Sequence, residues 1–201
     1  MSNQFISEIL QYIFPNEKSA NIEKLDLKLH IRNNHIYFME HNEEIGSIIK
    51  YAKYTNHPNS FREIGKRIGS LLISENTGCD MVIPVPMHDI DQNKRGYNQS
   101  LILASQIAVY TGLECSAKAL RKIRQTHKQA GMNVYQRKRN VADVFKAHDD
   151  IVTGKTILLV DDIYTTGSTL KECEKELLSK GAVKVIFLTV TFNRKKSDNE
   201  K

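Results

Sequence analysis

From Thr156 to Leu170 the chain joins an apolar run, two adjacent carboxylates and a hydroxyl-rich turn, and this stretch limits both its fold and its chemistry. Ile157 to Val160 is short, apolar and β-branched at both ends, which predicts a strand covered on both faces of a parallel sheet. The strand is expected to stop where Asp161 and Asp162 begin, because two charges in a dry core would be costly. Both acids then lie at the carboxyl edge of the sheet, outside the core, where open sheets of this kind bind ligands. Thr165, Thr166, Ser168 and Thr169 supply hydroxyls, and Gly167 tolerates a positive φ, so that successive N–H groups can face an anion. Leu170, Cys173, Leu177 and Leu178 recur at helical spacing with Gly181 as the stop, which places the turn at a helix N-terminus. Solvated acids or a capping Ser and Thr account for either half alone. The two halves in succession read as a cradle for a sugar phosphate, acids for the hydroxyls and turn for the phosphate.

Further elements extend this into an α/β fold. From Met81 the order is a strand, a loop, a helix from about Asn98 to Tyr110 with Gly112 as its stop, and a weak strand from Cys115 to Leu120. A basic insertion follows, then strands at Val141 to Ala147, Thr156 to Val160 and Val183 to Phe192, with a helix between the last two. This predicts a mainly parallel, twisted sheet flanked by helices. Pro86 and Asp161 both fall at carboxyl ends of strands, so their loops are expected to face one ligand. Upstream, Ile45, Ile48, Ile49 and Ala52 recur at helical spacing, and a second helix from Pro58 is expected to bury Phe61, Ile64, Ile68, Leu71 and Leu72. Leu25, Leu27, Leu29 and Ile31 alternate with polar residues, Asn33-Asn34 offers turn chemistry, and Ile36 and Phe38 resume the alternation, which predicts a β-hairpin. The expected division is a small hairpin and helical appendage over residues 1–42, the main domain over 43–192 and a disordered charged tail over 193–201.

A chain of 201 residues with 40% hydrophobic content and no long apolar run fits one sizeable core of a soluble protein. Met1 to Pro15 carries Glu8 and lacks a basic start and a small-residue cleavage site, so a cytoplasmic location is expected. Cys79, Cys115 and Cys173 are odd in number and widely spaced, which argues against disulfides and structural zinc. His30, His35, His41 and His57 show no metal-ligand pattern.

The net charge is +6, but Lys118 to Asn140 holds eight Lys or Arg residues and no acid. Three readings stand: a mobile hairpin that closes on an anionic leaving group, a nucleic-acid contact, and a solvated surface hairpin.

Val160 to Thr169 resembles the ribose-phosphate signature of type I phosphoribosyltransferases, and the surrounding chain resembles the ComF group of that superfamily. Val82 to Pro86 followed by Lys94 to Gln99, the run Arg121, Arg124, Thr126 and Gln129, and Arg137 to Asn140 with Phe145 carry the group likeness. The resemblance implies the type I phosphoribosyltransferase fold with a flexible β-hairpin loop. It implies that Asp161 and Asp162, in catalytic positions, hold the ribose hydroxyls of phosphoribosyl pyrophosphate, and that Thr165, Thr166, Gly167, Ser168 and Thr169 hold its 5′-phosphate. Lys94 and Arg95 would face the pyrophosphate, Arg121, Arg124 and Arg137 would belong to the flexible loop, and Mg²⁺ would bind through the ligand rather than directly to the protein, with Asp161 as the candidate exception.

Two features depart from the group. Many ComF proteins begin with a four-cysteine zinc module, whereas Met1 to Tyr54 contains no cysteine. Asp89 and Asp91 follow Pro86, where further basic residues are usual, and would repel pyrophosphate unless Mg²⁺ lies between. The resemblance implies transfer of the phosphoribosyl group to a nitrogen acceptor. A module for binding phosphoribosyl pyrophosphate or handling single-stranded DNA in competence and DNA uptake, with competence proteins as partners, stands beside it. The acceptor is open, and so is a homo-oligomer.

Overall fold

The computed structural model describes residues 25–54, 58–75, 77–126 and 143–193. The elements are β1 (His30–Arg32), β2 (His35–Glu40), α1 (Glu43–Tyr54), α2 (Pro58–Leu72), β3 (Met81–Pro84), α3 (Asp89–Arg95) and α4 (Gln99–Thr111). There follow β4 (Glu114–Cys115), β5 (Leu120–Lys122), β6 (Phe145–Ala147), α5 (Asp149–Val152), β7 (Thr156–Tyr164), α6 (Ser168–Ser179) and β8 (Lys184–Phe192). A six-stranded sheet runs β1-β2-β8-β7-β3-β4, and β5 and β6 form a separate two-stranded ribbon. Every pairing in the large sheet is parallel except β1 with β2. The expected mainly parallel α/β sheet flanked by helices is therefore present.

Alternation along β7 divides the core between the two sheet faces. Leu158 and Val160 join Phe38, Phe61, Ile64, Ile68, Leu103 and Ile107, under α2 and α4. Ile157 and Leu159 join Leu120, Phe145, Val152, Leu170, Cys173 and Leu177, under α6 and the β5–β6 ribbon. A strand clothed on both faces carries apolar residues at successive positions, which is why Ile157 to Val160 has no polar break. On the first face, α2 and α4 approach closely because Gly65 and Gly69 lie against Gln106 and Tyr110. Among the described residues no helix is long and apolar enough to cross a membrane.

Four expectations are corrected. Leu71, expected in the core with its helix neighbours, is 39% exposed, because it turns away from the α4 side of α2 that buries Ile64, Ile68 and Leu72. β7 does not stop before the acids, because the ladder with β8 continues through Asp161↔Thr189 and Ile163↔Thr191 to Tyr164↔Phe192. The region from Cys115 to Leu120 is not one strand: Glu114 and Cys115 pair with β3, while Leu120 to Lys122 pairs with β6. The loop after Pro86 contains helix α3, capped by His88 at its start and by Gly96 at φ 86° at its end. Asp89 and Asp91 in its first turn and Lys94 and Arg95 in its last complement the helix dipole.

The hairpin at Asn33-Asn34 forms as expected, with Asn33 at φ 57°. Its second strand pairs in parallel with β8, and Leu25, Leu27, Ile36 and Phe38 belong to the first-face core. The antiparallel β5–β6 pairing forms the base of the expected hairpin loop, whose residues 127–142 lie outside the described residues, as do the tail residues 194–201.

Candidate functional site

At the carboxyl ends of β3 and β7 lies a cleft of about 840 Å³, walled by the loop after β3, α3, the start of α4, Lys122 on β5, Lys53 on α1 and the end of β7. Asp161, Asp162, Thr165, Thr169, Lys94 and Arg95 all line it. One cavity thus receives the acids, part of the hydroxyl turn and the α3 cations. Asp91 also lines it. Arg121 lines a neighbouring cleft of about 480 Å³ with Asp89. Arg124 is exposed beyond β5, and Arg137 lies outside the described residues.

The two acids differ in surroundings. Asp162 is 3% exposed, against the expectation that both side chains stand outside the core. It remains charged there because Lys53 Nζ lies 2.5 Å from its Oδ2 and Gln99 Nε2 donates to its Oδ1 at 3.2 Å. Burial pushes the Asp162 carboxyl up, but the charge and hydrogen bond of Lys53 outweigh it and hold the group below the usual carboxylate range. Asp161 accepts from the Ser100 hydroxyl at 2.7 Å and from the Asp162 N–H at 2.9 Å. Desolvation, followed by the charge of Asp162, pushes its carboxyl up to about 7. A neighbouring pair of like charges divides in this way when one member owns the counter-ion.

Helix α4 organises the acids. Asn98 caps it, its Oδ1 accepting from Ser100 N at 3.0 Å while its Nδ2 donates to Val85 O at 3.1 Å. Gln99 and Ser100 in the first turn then project onto the acids, and the positive end of the helix favours their charge. Arg95 Nη1 donates to Gln99 Oε1 at 2.6 Å, which ties the α3 cation to the same network.

The hydroxyl turn is internally tied. Thr166 and Ser168 are buried and share a hydrogen bond of 2.8 Å, while Thr165 and Thr169 line the cleft. Gly167 has φ 76°, and a Cβ there would collide with the Tyr164 hydroxyl. Helix α6 begins at Ser168, so its first N–H groups lie at this turn, the arrangement that receives anions.

Lys53, Ser100 and Lys122 are site residues that the sequence reading did not single out. Lys122 Nζ donates to Thr126 Oγ1 at 2.7 Å, and burial lowers its pKa against the opposing charge of Asp91. Strand alternation was an available signal: on β5, Leu120 is buried, Arg121 is exposed, and Lys122 faces the cleft. Lys53 carried no such signal, because only the docking of α1 brings it to β7.

Among the described residues no three His, Cys, Asp or Glu gather into a metal-holding group. Asp161 and Asp162 suit a hard cation that takes most of its oxygens from a bound anion.

The phosphoribosyl transferase domain family matches residues 50–201. Competence protein F of Haemophilus influenzae is 30% identical over 108 residues, which are 53% of this chain and 47% of that protein. DNA utilization protein YhgH of Salmonella typhi is 32% identical over 132 residues, 61% of this chain and 58% of that protein. Competence protein ComFC of Bacillus subtilis is 27% identical over 104 residues, 50% of this chain and 39% of that protein. The chain spans about half the length of these relatives. Among solved structures, adenine phosphoribosyltransferase of Leishmania tarentolae aligns with a TM-score of 0.48 at 10% identity, covering 82% of this chain and 94% of that one.

Proposed function

Because the chain belongs to the phosphoribosyl transferase domain family, as a ComF-type member, we propose that its cleft binds phosphoribosyl pyrophosphate with Mg²⁺ and transfers the phosphoribosyl group to a nitrogen acceptor. The observation that carries this reading is the convergence of Asp161, Asp162, Thr165 and Thr169 with Lys94, Arg95 and Lys122 on one cleft. In the transfer the bond from ribose C1 to the pyrophosphate oxygen breaks, the bond from C1 to nitrogen forms, and the acceptor gives up a proton. Asp161 and Asp162 hold the ribose hydroxyls, the Thr165 to Thr169 turn anchors the 5′-phosphate, and Lys94, Arg95 and Lys122 stabilise charge on the departing pyrophosphate. Asp161 is the carboxylate that would help hold Mg²⁺ brought in by the ligand, and the ion would supply charge neutralisation for the departing pyrophosphate.

The test is calorimetric titration of the chain with phosphoribosyl pyrophosphate and Mg²⁺, then a pyrophosphate-release assay with each nucleobase as acceptor. Saturable binding with release in the presence of one acceptor supports transfer. Absence of binding rejects the assignment of the cleft.

A second reading is favoured by the names of the relatives, which refer to competence and DNA utilization. On this reading the chain handles single-stranded DNA, with or without turnover of the sugar phosphate, and competence proteins are its partners. The basic residues Arg121 and Arg124 then serve the phosphodiester backbone. Binding of single-stranded DNA that weakens as salt rises, and again when Arg121 and Arg124 are neutralised, supports it.

A further inference from the structure

The hairpin β1–β2 carries a set of rings that the sugar-phosphate site does not use. His30 lies opposite Tyr37 and Arg32 opposite His35, so all four side chains share one face of the sheet. The His30 and Tyr37 rings stack with centroids 5.0 Å apart, Tyr37 lies 4.9 Å from Phe192, and Phe192 lies 5.4 Å from Tyr164. Tyr164 in turn stacks on His35 at 4.6 Å, and the Arg32 guanidinium sits 5.5 Å over the Phe192 ring. Phe187, Phe192 and His35 are buried and form the floor. His30 is exposed, and Tyr37, Arg32 and Tyr164 are half-buried, so ring surface reaches solvent.

We propose that His30, Arg32, Tyr37 and Tyr164 form a stacking platform for the bases of a single-stranded polynucleotide, and that the platform leads to the Thr165 to Thr169 turn. The inference rests on the DNA-handling reading for the class of partner and extends it from Arg121 and Arg124 to the β1–β2 hairpin. Flat rings accept any unpaired base, and a guanidinium at their margin adds a cation for the backbone. A second cation, Lys171, is exposed on the first turns of α6. The same helix carries Glu174, whose carboxylate accepts from Asn34 Nδ2 of the hairpin turn at 3.2 Å, so α6 borders the hairpin. An apolar protein partner would match aliphatic side chains better than this mixture of imidazole, phenol and guanidinium. Continuity gives the platform its direction. Tyr164 precedes the turn in sequence and its hydroxyl rests against Gly167, so a strand lying across the rings brings a phosphate to the anion-binding end of α6.

The experiment is fluorescence anisotropy of the full chain with a short labelled single strand, DNA and RNA in separate arms, at low salt. The double variant His30→Ala, Tyr37→Ala is expected to bind the preferred strand roughly 10- to 100-fold more weakly. Tyr37→Phe keeps the affinity of the parent. His30 is exposed and Tyr37 half-buried, so the double variant is expected to melt a few degrees lower while phosphoribosyl pyrophosphate binding stays unchanged. Parental affinity in the double variant overturns the platform while leaving the DNA-handling reading standing. Equal competition by duplex overturns it too, because paired bases cannot stack on the rings. A change of oligomeric state in the double variant without loss of strand affinity reassigns the face to a second copy of the chain. No strand binding by the parent rejects the DNA-handling reading itself and the platform with it.

Discussion

Lys53 reaches from α1 to Asp162 at the end of β7, and its Nζ lies 2.5 Å from a carboxylate oxygen of a residue only 3% exposed. A charge so enclosed depends on its counter-ion. Lys53→Met is therefore expected to cost roughly 3 kcal/mol at neutral pH, chiefly through the penalty of leaving Asp162 unpaired. Asp162→Asn alone should also destabilise, since it strands Lys53 at 19% side-chain exposure. The double variant Lys53→Met, Asp162→Asn should recover part of either loss. Urea unfolding of the four proteins measures this, and strictly additive losses would show that the two groups are not coupled.

Gly167 sets the hydroxyl turn. Its φ of 76° costs an alanine roughly 1–2 kcal/mol, and the new Cβ would also strike the Tyr164 hydroxyl. Gly167→Ala is expected to distort the turn more than the core, raising the Kd for phosphoribosyl pyrophosphate by about tenfold or more while lowering Tm by only a few degrees. Gly167→Ala with Tyr164→Phe should not restore binding, because the backbone strain persists. Calorimetric titration at matched temperature tests both, and an unchanged Kd would separate this turn from the phosphate.

The parts of the fold that were legible in sequence are those whose cause is local. Ile157 to Val160 reads as a covered strand because both faces need apolar residues, and the turn at Asn33-Asn34 reads from its own chemistry. Asp161 to Thr169 was legible as a motif because the acids and the hydroxyl turn follow each other along the chain. The end of β7 was not, because Thr189 and Thr191 on β8 extend the ladder past the acids and Lys53 makes their burial tolerable. Short helix α3 was hidden by its mixed charges, which read as loop residues until the His88 and Gly96 caps are seen. Lys53 depends on the docking of a helix more than a hundred residues upstream, and no local pattern encodes that contact.

His35 ties stability to pH. Burial, and secondarily the charge of Arg32, lower its pKa from 6.5 to about 4, and its Nε2 lies 2.8 Å from Thr189 Oγ1. The folded protein therefore favours the neutral ring, whereas the unfolded chain takes up a proton near the ordinary value. The contribution is fully present above about pH 6.5 and is lost as the pH falls toward 4, up to roughly 3 kcal/mol in all. Unfolding free energies from urea titrations at pH 7 and at pH 4.5 should differ in that direction for the parent. His35→Gln, which cannot titrate, should show a smaller difference, and an equal one would assign the acid sensitivity elsewhere.

Gly65 and Gly69 let α2 lie against α4, and their replacement sets helix propensity against packing. Alanine gains about 1 kcal/mol of propensity over glycine inside a helix. At Gly65 the new Cβ would stand 2.8 Å from Gln106 Cβ and 3.2 Å from Leu103 O, and at Gly69 it would stand 2.8 Å from Tyr110 Cβ. None of these atoms is the free end of a side chain, so the helices themselves must part. Overpacking of this kind costs roughly 1–3 kcal/mol, enough to cancel or exceed the propensity gain. Gly46 on α1 supplies the contrast, because a Cβ there meets only the His41 ring at 2.9 Å, and a ring can turn aside. Gly65→Ala and Gly69→Ala are thus expected to lower Tm while Gly46→Ala leaves it level or raises it. Thermal unfolding followed by circular dichroism checks the order, and a higher Tm for Gly65→Ala would show that α2 and α4 are not in close contact there.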